Sequence, residues 1–141
     1  MEDPYRLQRF VDAQNNADVY AGAIAELRAG RKQGHWMWFI FPQVKGLGYS
    51  YMAQEFGISS IAEAQAYVQH PLLGPRLVEC SDALLRIEGR SATDILGSTD
   101  AMKLRSSMTL FMTAASQESV FSGVLGQYFD GAADQETVSR L

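Results

Sequence analysis

The run Trp36-Met37-Trp38-Phe39-Ile40-Phe41-Pro42 constrains this chain more than any other stretch. It holds both tryptophans and two of the seven phenylalanines, so any fold must be built around it. Its apolar residues are continuous rather than alternating, and periodicity alone cannot separate a helix from a buried strand there. The flanking pattern is helical, which predicts about two helical turns stopped by Pro42. The run falls far short of the ~20 apolar residues that a bilayer-crossing helix needs. Trp and Phe side chains each bury roughly 150–250 Å², so one reading of the block is a packed hub. The other turns an indole toward a cleft, where it stacks on a flat ligand and its N–H finds a polar partner.

Helical spacing governs the rest. Asp3-Pro4 reads as a helix start, an acidic cap followed by proline at the first helical position, with Leu7, Phe10 and Val11 as the inward stripe. Asp18 reads as the cap of a second helix carrying Val19, Ala23, Ile24 and Leu27, with Gly30 as its left-handed terminator. Ser50 opens a short helix ending at Gly57. Ser60 and Glu63 have the spacing of a capping box, and the helix behind them stops before His70-Pro71, with His70 favourably placed against its dipole. A helix over residues 72–87 follows, then a short one opened by Ser91 and Asp94 and closed by Gly97. Asp100 caps a helix over residues 101–115; another covers 116–129, and a last turn covers 134–141. No strand-turn-strand signature occurs. The expectation is an all-α protein, a compact irregular multi-helical array forming a single domain over residues 1–141.

Two stretches lack carboxylates. Residues 27–54 contain no Asp or Glu yet carry Arg28, Arg31, Lys32, His35 and Lys45. Cations sit well at a helix C-terminus, which accounts for a solvated end; the alternative is a phosphate or carboxylate site, for which arginine offers a bidentate fork. Residues 101–117 are acid-free as well and contain Lys103, Arg105, Ser106, Ser107 and Thr109. On a helix Lys103, Ser106 and Ser107 fall at i, i+3 and i+4, on one face. That face is either an ordinary polar surface or part of an anion site, and the second reading gains force if the two stretches meet. The net charge of −4 argues against sequence-blind binding of a nucleic-acid polymer, while leaving room for one small anion.

Only His35 and His70 are histidines, and no His-x-x-x-His or Glu-x-x-His pair suggests a metal. His35 suits acid–base work, with Glu55 as a nearby carboxylate; Arg76 is a candidate for the same cleft. Residues 46–50 form neither a nucleophile elbow nor a phosphate-binding glycine loop, and no cofactor is expected. The single cysteine, Cys80, precludes an intramolecular disulfide and reads as a small buried hydrophobe. The acidic start Met1-Glu2-Asp3-Pro4 is unlike a signal peptide. The expectation is a cytoplasmic, reduced protein away from membranes.

Gly34-His35-Trp36-Met37-Trp38-Phe39-Ile40-Phe41-Pro42-Gln43, with Gly46-Leu47-Gly48 and Ser50 behind it, closely resembles the signature of DUF1810, an uncharacterised and mainly bacterial family. The blocks His70-Pro71-Leu72-Leu73-Gly74-Pro75-Arg76-Leu77 and Lys103-Leu104-Arg105-Ser106-Ser107-Met108-Thr109-Leu110-Phe111, and the tail over 131–141, agree with it. Gly34 departs from the serine expected there, which weakens a helix cap. The resemblance implies a compact helical array and no established activity; the label calpastatin carried by some relatives finds no support here. A looser likeness, echoed by Asp100, Met102 and Phe111, runs to helical proteins linked to NAD and ADP-ribose metabolism.

The residues together lead to one expectation. A cleft formed by segment 35–43, loop 46–50 and helix 103–109 holds a small anionic ligand, nucleotide- or ADP-ribose-like. Arg31, Lys32, Lys103, Ser50, Ser106 and Ser107 grip it, Trp36 or Trp38 lies beneath its ring, and Gln43, Tyr49 and Arg76 complete the wall. If the chain is an enzyme, His35 or Glu55 serves hydrolysis of an N-glycosidic or phosphate-ester bond. The competing expectation is a non-catalytic interaction module that uses the aromatic surface of 35–43. Self-association is left open.

Overall fold

The structure is a computed structural model and describes residues 2–141; Met1, the first residue of the acidic start, lies outside them. Helices are α1 (Gln8–Asn15), α2 (Val19–Ala29), α3 (Met37–Ile40), α4 (Tyr51–Glu55), α5 (Ile61–Gln69), α6 (Leu73–Leu85), α7 (Ala92–Leu96), α8 (Ser98–Ala114), α9 (Ser119–Phe129) and α10 (Gln135–Ser139), with a 3-10 turn over Asn16–Asp18. Among the described residues there is no strand, and the all-α expectation holds.

The array is organised on α8, which packs against α5, α7, α9 and α10, while α6 packs against α2, α5 and α9. Its Leu104, Met108, Leu110 and Phe111 are fully buried, and so are Ser107 and Thr109. Those two hydroxyls lie on the inward side of α8, while its exposed flank carries Ser98, Thr99, Met102 and Thr113. Rings thread the core in sequence: Phe10 stands edge-on to Tyr67 at 5.1 Å, Tyr67 meets Phe111 at 5.3 Å, and Phe111 meets Phe121 at 5.8 Å. The aromatic block joins this spine through Phe39 and Phe56, 5.3 Å apart, and Phe56 and Phe10, 5.6 Å apart. Offset and edge-on pairs of this kind add about 0.5–1.5 kcal/mol each beyond area burial.

Several helix ends differ from expectation. Asp3 does cap α1, accepting the N–H of Leu7 at 2.8 Å and of Gln8 at 2.9 Å, but Arg6 at φ 51° turns the chain first and the helix starts beyond Pro4. Asp18 flanks α2 in a left-handed conformation with no side-chain cap, whereas Gly30, φ 76°, does terminate it. The aromatic block makes one turn, α3, rather than two. The residue before a proline is pushed out of the helical region, and Phe41 sits at φ −124°, ψ 76°. Ser60 accepts the Glu63 N–H, but the Glu63 carboxylate does not close the box. It turns to Ser59 and, at 3.0 Å, to the part-buried guanidinium of Arg9. His70 closes α5 as its C-cap residue, its N–H donating to the Tyr67 carbonyl, and its Nδ1 also accepts the N–H groups of Leu72 and Leu73 at the start of α6. That helix can cross α5 closely only because residue 74 is glycine, where a Cβ would lie 1.9 Å from the Val68 carbonyl oxygen.

Two details position the site. Lys45 N–H donates to the Ile58 carbonyl and Ile58 N–H to the Gln43 carbonyl, both at 2.8 Å. This single parallel bridge closes the base of an excursion over residues 46–57 that carries α4, a helix with no fully buried residue. Helix α8 begins at Ser98, so Asp100 lies in its first turn rather than at its cap, and its carboxylate is free for other partners.

Candidate functional site

Glu26 near the end of α2 organises the aromatic block. Its Oε1 accepts the N–H of Gln33 at 2.7 Å, of Gly34 at 2.9 Å and of the Trp36 indole at 3.0 Å. Burial raises the Glu26 pKa, but these three donors and the nearby Lys32 outweigh it and hold the carboxyl below its ordinary range. Trp36 is thereby turned inward, 2% exposed, with its N–H satisfied. It is core.

Lys32 folds over the same loop. Its Nζ donates to the Gly34 carbonyl at 2.5 Å, lies 2.8 Å from Asp100 Oδ2, and sits 5.1 Å above the Trp36 ring. The other oxygen of Asp100 lies 3.4 Å from Lys103 Nζ, which in turn sits 4.7 Å above the Trp38 ring. The two acid-free stretches therefore meet, and what joins them is a carboxylate at the edge of the second. Lys32 is not the unpaired cation its sequence surroundings suggested. Lys103 differs from it: its ammonium carries three donors and holds one long ion pair, which leaves N–H groups for a ligand.

Trp38 is half-buried, and its ring has Lys103 over it where the neighbouring aromatics have each other. It forms part of a cleft of about 430 Å³ between loop 46–50, the first turns of α8 and the start of α10. Trp38, Gln43, Tyr49, Ser50, Lys103 and Ser106 all line it, brought together from three separated segments. Thr99, Met102, Asp134 and Glu136 complete the wall. Arg105 donates to the carbonyls of Ala132 and Ala133 at 2.8 Å each, and so holds the chain that presents Asp134. Asp134 caps α10 and accepts the Ser106 hydroxyl at 2.8 Å, which commits that hydroxyl inside the protein. Tyr49 and Met102 stand at the rim, 87% and 72% exposed.

Other expected site residues lie elsewhere. Arg31 is exposed and does not line the cleft. Arg76 donates to Gln14 and Asn15 and stacks 4.4 Å over Tyr20, tying α6 to α1 and α2. Ser107 is fully buried and its Oγ has no partner. His35 and Glu55 line a different groove, about 860 Å³, on the other flank of α4. Glu55 is paired with Arg6 at 3.1 Å, and that hydrogen bond lowers its pKa. One site containing all of these residues does not form, because α4 stands between the two hollows.

Glu26, Asp100, Asp134 and Glu136 were absent from the sequence-based site. Asp100 had a signal, its place at the boundary of an acid-free run three residues before Lys103; Asp134 read only as a helix start. A third hollow, about 610 Å³, lies between α2 and α6 and carries Arg28, Arg86 and Arg90. Among the described residues no group of three His, Cys, Asp or Glu is placed to hold a metal ion, and no helix is long and apolar enough to cross a membrane. Burial pushes the Cys80 thiol up to about 12, which makes it a poor nucleophile.

Residues 4–141 match a family model described as "Protein of unknown function (DUF1810)". Among solved structures, the chain is similar to the conserved hypothetical protein Rv1873 from Mycobacterium tuberculosis. The two are 53% identical, with a TM-score of 0.95, over 99% of this chain and 98% of the other. No curated protein matches the chain.

Proposed function

This chain belongs to the DUF1810 family, whose description assigns no activity, and from the cleft itself we propose that it binds a small nucleotide-derived anion between Trp38, Tyr49 and Lys103. The observation that carries the reading is Lys103, an ammonium on the cleft wall with donors to spare and an indole 4.7 Å beneath it. Ammonium groups with free donors are point sites for phosphate. The half-buried Trp38 and exposed Tyr49 offer faces for a base or other planar group. Asp134 and Glu136 on the same wall limit the ligand to low negative charge and suit the hydroxyls of a sugar. A nucleoside monophosphate or an ADP-ribose-like molecule meets these demands. Hydrolysis is not part of the proposal, because His35 and Glu55 face the other groove.

Thermal unfolding with AMP, ADP-ribose and ribose 5-phosphate tests this. A ligand at a hundred times its Kd should stabilise the fold by about 2.7 kcal/mol, and Lys103→Met should abolish the effect. No stabilisation by any of the three well above millimolar concentration sinks the reading.

One observation favours a second reading, an interaction surface. Among the described residues, the large apolar side chains left exposed are Tyr49, Tyr51, Met102, Val138 and Leu141, all on the elements that surround the cleft or on the tail after α10. Segment 35–43 cannot supply that surface, since Trp36, Met37, Phe39, Ile40, Phe41 and Pro42 are buried. Light scattering on the pure protein with Tyr49→Ser as control separates the two. Self-association lost in the variant supports the second reading; a monomer that binds nucleotide supports the first.

A further inference from the structure

The groove on the far flank of α4 differs in chemistry from the Trp38 cleft. Its floor is apolar, made by the part-exposed Val19, Met52 and Phe56 with the buried Phe39 behind them. Its rim carries Asp12, Asn15, Asn16, His35, Tyr51 and Glu55, drawn from three separate segments of the chain.

No cation there is free. Arg9 reaches the groove, but its Nε donates to the Glu55 carbonyl. Its Nη1 donates to the carbonyls of Tyr5 and Arg6, and its Nη2 to the Gly57 carbonyl and the Glu63 carboxylate. Glu55 is in turn paired with Arg6. What remains for a ligand is mostly neutral and directional. Asn15 uses its carbonyl oxygen on Arg76, which leaves its NH₂ as a donor. Asp12 takes the Gln8 amide on one oxygen, so the other is open. The Asn16 amide, the His35 ring and the oxygen of the Tyr51 hydroxyl, whose proton goes to Glu55 at 3.4 Å, complete the set.

The backbone beside these groups is strained. Ala17 at φ 50°, ψ 37° and Asp18 at φ 58°, ψ 31° are consecutive left-handed residues without being glycine, directly after Asn15 and Asn16. Such conformations persist only where the surroundings hold them, and they cluster at ligand-binding segments. Here they turn the chain sharply between α1 and α2, at the groove's edge.

We propose that this groove binds a neutral sugar, with the apolar face of a pyranose ring on the part-exposed Phe56 and Met52 and its hydroxyls on Asp12, Asn15, Asn16 and Tyr51. Hydroxyl-rich rings need this combination: amide donors, carboxylate acceptors and an aromatic floor for their C–H face. The volume of about 860 Å³ accommodates a disaccharide. A phosphorylated ligand is disfavoured, because Arg9, the guanidinium that lines the groove, has all three nitrogens bonded to carbonyls and the Glu63 carboxylate. The inference is independent of nucleotide binding in the Trp38 cleft.

Saturation-transfer and amide-shift NMR with maltose, cellobiose and diacetylchitobiose as probes tests it. At least one should receive saturation at its ring protons and shift the amides of residues 12–16, 35 and 51–56, equally at low and high salt. Asn16 and Tyr51 are exposed, so Asn16→Ala and Tyr51→Ala should fold normally. Each should weaken the effect about tenfold, the loss of roughly one hydrogen bond or ring contact. Absence of shifts with all three sugars at tens of millimolar overturns the proposal, as do shifts confined to other surfaces or binding that survives both substitutions. Salt-sensitive shifts in the same amides from spermidine, without any from the sugars, would reassign the groove to cations.

Discussion

The ammonium of Lys32 lies 2.8 Å from the Asp100 carboxylate, with only 9% and 17% of the two side chains exposed. Removing one partner of a pair buried this far strands the other charge, a loss of about 3–5 kcal/mol in comparable cases. Lys32 keeps the Gly34 carbonyl, so Asp100→Asn should cost about 3 kcal/mol, near the low end of that range. It also frees Lys103 from its counter-charge, and affinity for a phosphate-bearing ligand should rise. Urea unfolding and ligand titration of the variant check both halves; a variant as stable as the parent contradicts the first.

Glu26 makes stability depend on acid. Its pKa is depressed in the fold from the ordinary 4.5, so its contribution is complete above that value and fades as pH falls through the folded-state pKa. Glu26→Gln keeps an acceptor but loses the charge, which should cost about 1–1.5 kcal/mol at neutral pH. That difference should shrink steadily once the pH drops below 4.5. Denaturation midpoints measured from pH 7 to pH 3 give the curve, and a constant gap would show that the carboxylate's charge plays no part.

Ser106 and Ser107 should respond oppositely to alanine. The Ser106 hydroxyl bonds Asp134, and losing it should cost about 1 kcal/mol. The Ser107 hydroxyl is buried without a partner. Its removal ends a desolvation penalty and improves helix propensity, so Ser107→Ala should leave Tm unchanged or raise it. Paired melting curves decide; a marked loss in Ser107→Ala would mean that its Oγ has a partner in solution.

The two tryptophans separate in the same way. Trp36→Ala removes a sealed side chain and an N–H that Glu26 requires, for a loss of about 3–5 kcal/mol. Trp38→Leu should cost about 1–2 kcal/mol, with the stronger effect on ligand binding. If both variants lose stability equally, Trp38 is as much core as Trp36.

Much of the helical plan was legible. Gly30, Ser50 and the Ser91-Asp94 pair act through local backbone geometry, which a few neighbouring residues determine, and each is found where the spacing put it. Local rules failed where a distant side chain competed for the same group. Glu63 leaves its box for Arg9, whose guanidinium arrives from 54 residues away in sequence.

By itself the sequence determined that the chain is helical and that residues 36–42 lie at its centre, and it offered segments 35–43, 46–50 and 103–109 as carriers of the groups for a cleft. Only the tertiary structure decided which of them face it. It assigned Trp36 to the core and Trp38 to the wall, neutralised Lys32 with Asp100, and put His35 and Glu55 across α4 in a groove of their own. The physical reason is range. Capping and periodicity act within a turn or two of chain, whereas the pairing of a charge and the exposure of a ring depend on whatever the packed fold brings to within a few ångströms.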